Sequence, residues 1–412
     1  MISALQTTPE ILGASAMRAK HSQLILSLLW NERGISRADL ARRTSLSRST
    51  VSAIVSDLLS TSLVRESHAG ASSGGRRPII LEFQDQSSFI VGIELGATHI
   101  SCVLMDLRCN IQAKWSAPAR VRDEPELALQ QMTTAVRSVL DEKGLQPSEL
   151  IGIGVAVPSP VDRERPGELL PLILPKWKGY NIAQHLEVNF ERPVFVDNDA
   201  NLGALAELWW GAGLATKDLA YIKVATGVGA GLIIDGRIFR GSGGIAGEIG
   251  HSSIDPDGPL CICGLHGCLT TFIGTPALLE RAEEELRASG SVRRPAASID
   301  ELVDAALDGD PVSVEMIRYA GDKLGVGIAN MLNLLNPKMV VLGGGIARAG
   351  DLLLEGVRST IGGLSLPESI RATLIRTTGL NEWGIAVGAA TLMLQAALDQ
   401  PTLYFSELRE AL

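Results

Sequence analysis

Phe89-Ile90-Val91-Gly92-Ile93-Glu94-Leu95-Gly96-Ala97-Thr98-His99-Ile100-Ser101-Cys102-Val103-Leu104-Met105-Asp106 is two apolar runs hinged on a glycine. The pattern predicts a buried strand, a tight turn and a returning strand, with Asn110 to Ser116 as the third. An acid, a glycine and a threonine on such a turn, here Glu94, Gly96 and Thr98, can hold Mg²⁺ and let a nucleotide phosphate approach the backbone. On its own, the same stretch equally suits an ordinary hairpin. Lys223-Val224-Ala225-Thr226-Gly227-Val228-Gly229-Ala230-Gly231-Leu232-Ile233-Ile234 repeats the arrangement, with Thr226, Gly227 and Gly229 on its turn. Two such units imply duplicated lobes with a ligand cleft between them.

Ile151 to Val157 and Val194 to Val196 read as further buried strands of the first lobe. The second of these runs into Asp197-Asn198-Asp199-Ala200-Asn201. Polar groups at a strand's C-terminal end lie where open α/β sheets bind ligands. Asn198 suits sugar hydroxyls, and Asp199 suits a general base; the alternative is that this stretch only caps the following helix. Leu342-Gly343-Gly344-Gly345 resembles a nucleotide turn, although a tight strand-to-helix connection needs the same glycines. Trp177, in a loop expected to tune the pocket, either stacks on a ligand or packs.

Upstream, Leu24, Ile25, Leu28 and Leu29 fall at helical spacing before Gly34. Ser36 caps a second helix with Asp39 three residues on, and Ser47 caps a third, Arg48 to Leu59. This is a helix-turn-helix. Arg37, Ser47, Arg48, Ser49, Thr50 and Ser52 are its candidate DNA contacts, at or near helix N-termini that can reach bases and phosphates. Leu63 to Glu66 and Pro78 to Phe83 read as the strands of a wing, joined by a Gly/Ser/Arg segment over 67–78. Its Arg76 and Arg77 suit a narrow minor groove. The alternative is a helical hairpin used for dimerisation, followed by a flexible linker.

A chain of 412 residues exceeds one core and calls for two or three domains. Apolar residues at 46% with only 4% aromatics and 43 glycines exclude a disordered chain and fit an α/β protein. No apolar run approaches the ~18 residues that span a bilayer. No secretory signal is visible, so a cytoplasmic location without a membrane partner is expected. The net charge of −9 is unevenly spread: residues 1–86 hold 10 Lys/Arg against 7 Asp/Glu, and the remainder 27 against 39. A basic head on an acidic body is compatible with nucleic-acid binding.

Gly247-Glu248-Ile249-Gly250-His251 precedes Cys261-Ile262-Cys263-Gly264-Leu265-His266-Gly267-Cys268. His251, Cys261, Cys263 and Cys268 complete a closed tetrahedral set of the kind that holds structural zinc. The alternative is a group of buried thiols with His251 hydrogen-bonded in the core. His266 is a spare ligand candidate in a tight turn.

These motifs together resemble the repressor branch of the ROK family of repressors and sugar kinases, over nearly the whole chain. The resemblance implies an α/β chain: a winged helix-turn-helix over 1–85, then a two-lobed ribonuclease-H/actin-like sugar-kinase fold. The lobes are expected over 86–206 and 207–380, the second carrying the zinc, with a C-terminal helix over 381–412 packing back on the first. It further implies that Asn198, Asp199, Glu248 and His251 touch a sugar, while His251 and the three cysteines bind zinc. Two positions depart from the family's kinases: Glu94 stands in place of Asp, and Thr270 in place of a sugar-binding Glu. One added methylene displaces an acid whose placement is most of what phosphoryl transfer requires. Asp199 is therefore a vestigial catalytic candidate, and the sequence predicts no enzyme. It predicts a repressor whose affinity for a palindromic double-stranded operator is altered by a monosaccharide. A homodimer or homotetramer is expected, since paired heads read two half-sites. The competing readings are a sugar kinase with an accessory DNA-binding head, and a regulator that answers to a partner protein.

Overall fold

The computed structural model describes residues 14–400 apart from 62, 70–77, 163, 164, 166, 171, 172 and 291–293. Helix α1 (Ala14–Asn31) opens the head, and a two-residue strand β1 (Ile35–Ser36) leads into α2 (Arg37–Thr44) and α3 (Arg48–Ser60). Both caps form: Ser36 accepts the Asp39 N–H and Ser47 accepts that of Thr50. Between the two helices the chain reverses at Ser45, which adopts φ +58° as the C-cap of α2. Strands β2 (Val64–Ala69) and β3 (Ile79–Phe83) pair antiparallel from Val64↔Phe83 to Ala69↔Ile79, and β1 joins the far edge of β3 at Ile35↔Leu81. The wing tip with Arg76 and Arg77 lies outside the described residues. On α1 the core face is Ile25, Leu26 and Leu29, all fully buried, whereas Leu24 is 43% exposed. The expected face was thus rotated by one residue. Full burial of each such side chain is worth about 1.5–3 kcal/mol.

The body repeats one topology. In the first lobe β4 (Phe89–Leu95), β5 (His99–Asp106) and β6 (Ile111–Pro118) form a meander, α4 (Pro125–Lys143) crosses to β7 (Leu150–Val157), and α5 (Ile182–Phe190) to β8 (Val194–Asn198). The strand order is β6-β5-β4-β7-β8, with β4, β7 and β8 parallel. After α6 (Asp199–Trp210), the second lobe begins with β9 (Leu219–Val224), β10 (Val228–Ile234) and β11 (Arg237–Ile238). Helices α7 (Thr270–Ile273), α8 (Thr275–Ala288), α9 (Ile299–Leu307) and α10 (Pro311–Leu335) precede β12 (Met339–Gly343). Then α11 (Asp351–Leu364), α12 (Pro367–Ala372) and β13 (Leu374–Thr377) complete the order β11-β10-β9-β12-β13. Both sheets place an antiparallel meander beside two parallel strands, as the duplicated Gly-turn units predict.

Helix α13 (Gly384–Asp399) returns to the first lobe and packs on β4, β5, β7 and α6. It lies so close that a Cβ on Gly154 would stand 1.8 Å from the Ala389 carbonyl oxygen. Towards its C-terminal end Met393, Leu394 and Ala397 share a core with Ile25 and Leu29 of α1 and with Val55 and Leu58 of α3. Gln23 donates to Asp399 across the same seam at 2.7 Å. Head and first lobe are joined by one continuous apolar core, while the second lobe has a core of its own.

Candidate functional site

The two Gly turns face each other across the body. Glu94 stands next to last in β4, and its side chain is only 4% exposed. The Lys223 ammonium, next to last in β9, lies 3.1 Å from Glu94 Oε1 and 2.8 Å from Asp199 Oδ2. His99 Nε2 is 3.8 Å from the other Glu94 oxygen. Burial would raise the Glu94 pKa, but the Lys223 charge and the His99 hydrogen bond outweigh it and hold the carboxyl below its ordinary value. For Lys223, burial pushes the pKa down, yet the charges of Asp199 and Glu94 more than reverse this. The acid of the first loop is therefore ion-paired. Gly96 lies against the His99 ring, while Thr98, Thr226 and Gly227 are exposed at the turn tips and Gly229 is half-buried. Thr270, at the start of α7, faces Gly227.

Asn198 caps α6, its Oδ1 accepting the N–H groups of Ala200 and Asn201 at 2.9 and 3.3 Å. The cap and a ligand role are compatible, because the committed oxygen leaves the amide nitrogen to face a hydroxyl. Asp197 is held by Arg240 at 2.5 Å and accepts from Asn201 at 3.0 Å. Glu248 lies near Asp199: burial first, and the Asp199 charge second, push its pKa up to about 7. His251 follows one turn on, with Nε2 3.9 Å from Glu248 Oε2. Glu94, Lys223, Asp199, Glu248 and His251 thus form a chain of polar groups along the cleft.

The other ring nitrogen of His251 points away from Glu248. Nδ1 is 3.5 Å from Cys261 Sγ, Cys263 and Cys268 sulfurs are 3.6 Å apart, and all four ligand atoms lie within 4.8 Å of one another. Four ligands around a tetrahedral ion with metal–sulfur bonds of 2.3 Å stand about 3.8 Å apart, so the cluster fits such an ion. The loop is closed by Cys261 N–H to the Leu265 carbonyl at 2.7 Å, and Gly264 and Gly267 adopt φ +89° and +65°. His266 is exposed, donates from Nδ1 to the Gly258 carbonyl at 3.1 Å, and lies outside the cluster.

On the head, Ser47, Arg48 and Ser49 are exposed at the N-terminus of α3, with Thr50 and Ser52 half-buried beside them. Arg48 has no acidic partner among the described residues. Arg37, by contrast, is held by Glu66 at 2.9 Å and reaches the Ser52 carbonyl at 3.4 Å. Trp177 packs: it is fully buried, donating to the Val121 carbonyl at 2.7 Å, and it backs a surface cavity beside Arg165 and Lys178. Gly344 is explained by packing, since at φ +88° its Cβ would lie 2.0 Å from the Val224 carbonyl oxygen.

Residues 90–396 match the ROK family. The chain belongs to the ROK family. Residues 19–65 match a winged helix-turn-helix DNA-binding family. The xylose repressor of Caldicellulosiruptor bescii is 30% identical over 92% of this chain and 96% of its own. The DNA-binding transcriptional dual regulator NagC of Escherichia coli is 32% identical over 89% and 90%. A crystal structure of a ROK family transcriptional regulator, a homologue of the E. coli MLC protein, superposes with TM-score 0.80 at 26% identity, covering 96% and 99%. These relatives place this ROK protein among sugar-responsive repressors with a winged head, not among the enzymes. No helix among the described residues is long and apolar enough to cross a membrane.

Three features of this ROK protein were not read from the sequence. Lys223 heads the second Gly unit, and a lysine inside Leu219-Ala220-Tyr221-Ile222-Lys223-Val224 breaks an otherwise apolar strand. That break was the available signal. Arg240, the partner of Asp197, lies in a polar loop and offered none. Trp30, Trp209 and Trp210 converge from distant segments: the Trp30 ring centroid is 5.6 Å from Trp209 and 6.4 Å from Trp210.

Proposed function

We propose that a monosaccharide bound between the lobes, by Asn198, Asp199, Glu248 and His251, changes the affinity of the winged head for a palindromic operator. The carrying observation is the course of α6. Its N-terminus holds Asn198 and Asp199 in the cleft, and its C-terminus ends in Trp209 and Trp210 against Trp30 of the head. Twelve residues at 1.5 Å each make a rod of about 18 Å between the two. The far end is fixed in place: Trp210 Nε1 donates to Thr391 at 2.8 Å, Trp30 Nε1 to the Leu107 carbonyl at 2.8 Å, and the Arg108 guanidinium covers Trp30 at 5.0 Å. A sugar that draws the second lobe toward Asp199 tilts α6, and the head moves with it. Sugar shifts the equilibrium only by its differential affinity for the two arrangements.

In this reading the His/Cys cluster holds structural zinc. His251 Nδ1 serves the metal and Nε2 the sugar, so the ion fixes the ring that touches the ligand. Ser47, Arg48, Ser49, Thr50 and Ser52 enter the major groove, with Arg76 and Arg77 from the wing. Arg37 acts by bracing α2 and α3 against Glu66 and reaches phosphate only by leaving it. Two heads on a homodimer or homotetramer read the half-sites, and the protein works in the cytoplasm, where its DNA is.

The test is a gel-shift titration of the full chain on DNA from its own promoter region, with and without a panel of pentoses, hexoses and N-acetylhexosamines. One sugar should change operator affinity at least about tenfold, or 1.4 kcal/mol. An operator affinity indifferent to every sugar, in protein that binds one of them by calorimetry, would sink the proposal.

A further inference from the structure

Glu94 and Lys223 hold the same place in their two lobes. Each is next to last in the strand that leads into its lobe's Gly turn, and each strand lies third in its five-stranded sheet. From those equivalent places an acid and a base meet across the cleft, and Asp199 closes the group from the third side. The Lys223 ammonium is 3.1 Å from one carboxylate and 2.8 Å from the other, and the three side chains are 12%, 4% and 12% exposed. Two carboxylates converging on one buried cation is the ligand geometry of a hard divalent ion, which takes carboxylate oxygens at about 2.0–2.6 Å. Here the cation is covalently part of the chain. A lysine ammonium is a compact point charge with three donors, and so fills such a position well.

We propose that Lys223 is the specificity-determining residue of the cleft: by occupying the cation position between Glu94 and Asp199, it keeps divalent metal ions, and any nucleotide carried by one, out of the site. Binding a metal ion there requires the ammonium to leave a buried place where both its charges are compensated, and leaving either partner unpaired in a buried site is strongly unfavourable. The charges of the two carboxylates also hold Lys223 firmly protonated despite its burial, so it does not step aside by losing its proton. Thus the first loop can retain an acid, a glycine and a threonine and still fail to gather a metal-nucleotide.

The test replaces Lys223 with Met, which keeps most of the volume and removes the charge. Zinc-loaded full-length protein is titrated with Mn²⁺ alone, followed by the electron paramagnetic resonance of free Mn²⁺. Oxygen-seeking Mn²⁺ does not compete for a thiolate-rich cluster. The Lys223→Met protein is expected to bind Mn²⁺ at least about tenfold more tightly than the wild type, with a matching metal-dependent rise in melting temperature. The gain should vanish when Glu94→Gln and Asp199→Asn are added. If two facing carboxylates prevent the single variant from folding, Mn²⁺ should restore its cooperative melt, which supports the proposal equally. A folded variant with no Mn²⁺ gain, a variant unfolded with and without Mn²⁺, or a gain that survives loss of both carboxylates would each overturn it. Neither sugar nor DNA enters the measurement, so its failure would leave the regulatory reading untouched.

Discussion

The two lobes share a strand order but not a mechanical setting. Around the first-lobe sheet, α13 and the head helices close into one core, in which Met393 and Leu394 touch the same cluster as Ile25 and Leu58. The second lobe buries Ile222, Leu324, Leu342 and Val357 among themselves and adds the His/Cys cluster at its edge. The duplicated unit was thus put to two uses. One copy is built into the DNA-binding body, and the other keeps a separate core and carries the His/Cys cluster. Interfaces between such bodies are bistable more readily than deformable. What crosses between the copies is the Glu94–Lys223–Asp199 group and helix α6, which packs on β9 and β10 of the second lobe and on α13.

The largest effect should come from removing the element that only the second lobe has. Cys263→Ser leaves three ligands of four, and because metal binding in a small closed loop is folding free energy, the second lobe should lose several kcal/mol. Thermal melting followed by limited proteolysis checks this: cuts should appear between residues 250 and 270 before the first lobe and head become accessible. Unchanged melting with full metal content would break the assignment, and simultaneous collapse of both lobes would break the mechanical distinction between them.

A smaller effect tests the crossing itself. Trp209→Leu keeps an apolar contact but removes the ring that packs at a tilt against Trp30 and Trp210. Coupling between sites is typically about 1–3 kcal/mol, and most of it should disappear here. Sugar affinity measured by calorimetry and operator affinity without sugar should stay near wild type, while the sugar-induced change in operator affinity shrinks toward none. Retention of the full sugar response in this variant would show that the head is reached by another route.

Much of this was legible in the sequence, for reasons that particular residues make plain. Strand runs such as Phe89–Leu95, apolar but for Glu94, and Leu150–Val157 are apolar because both faces are covered, and the turns that follow the paired strands announce themselves by glycine. Ser36 and Ser47 could be read as caps because capping is local chemistry. The His/Cys set could be read because a metal loop brings its ligands together along a short stretch. Strand β1 could not: two residues, Ile35 and Ser36, carry no period. The inward shift from Leu24 to Leu26 on α1 depends on where α13 lies, which no local pattern encodes. The Trp30–Trp209–Trp210 cluster joins segments far apart in the chain, and only the fold brings them together. Glu94 and Asp199 were singled out as ligand groups, but their common partner was not, because a lysine's reach is a matter of three dimensions.

The smallest effect separates two explanations for the absence of kinase chemistry. Glu94 carries one methylene more than the aspartate of the family's kinases, and on that ground alone Glu94→Asp should repair the first loop. The position of Lys223 predicts otherwise. Shortening the side chain draws the carboxylate back from the ammonium and weakens one charge-assisted hydrogen bond, at a cost of about 1 kcal/mol in stability. Asp199 still holds Lys223 at 2.8 Å, so the cation position stays filled. The Glu94→Asp protein should therefore melt slightly earlier, bind sugar nearly as before, and transfer no phosphate from ATP to it in a coupled assay. Measurable turnover by this variant would mean that carboxylate reach, and not the resident ammonium, is what separates this cleft from a kinase's.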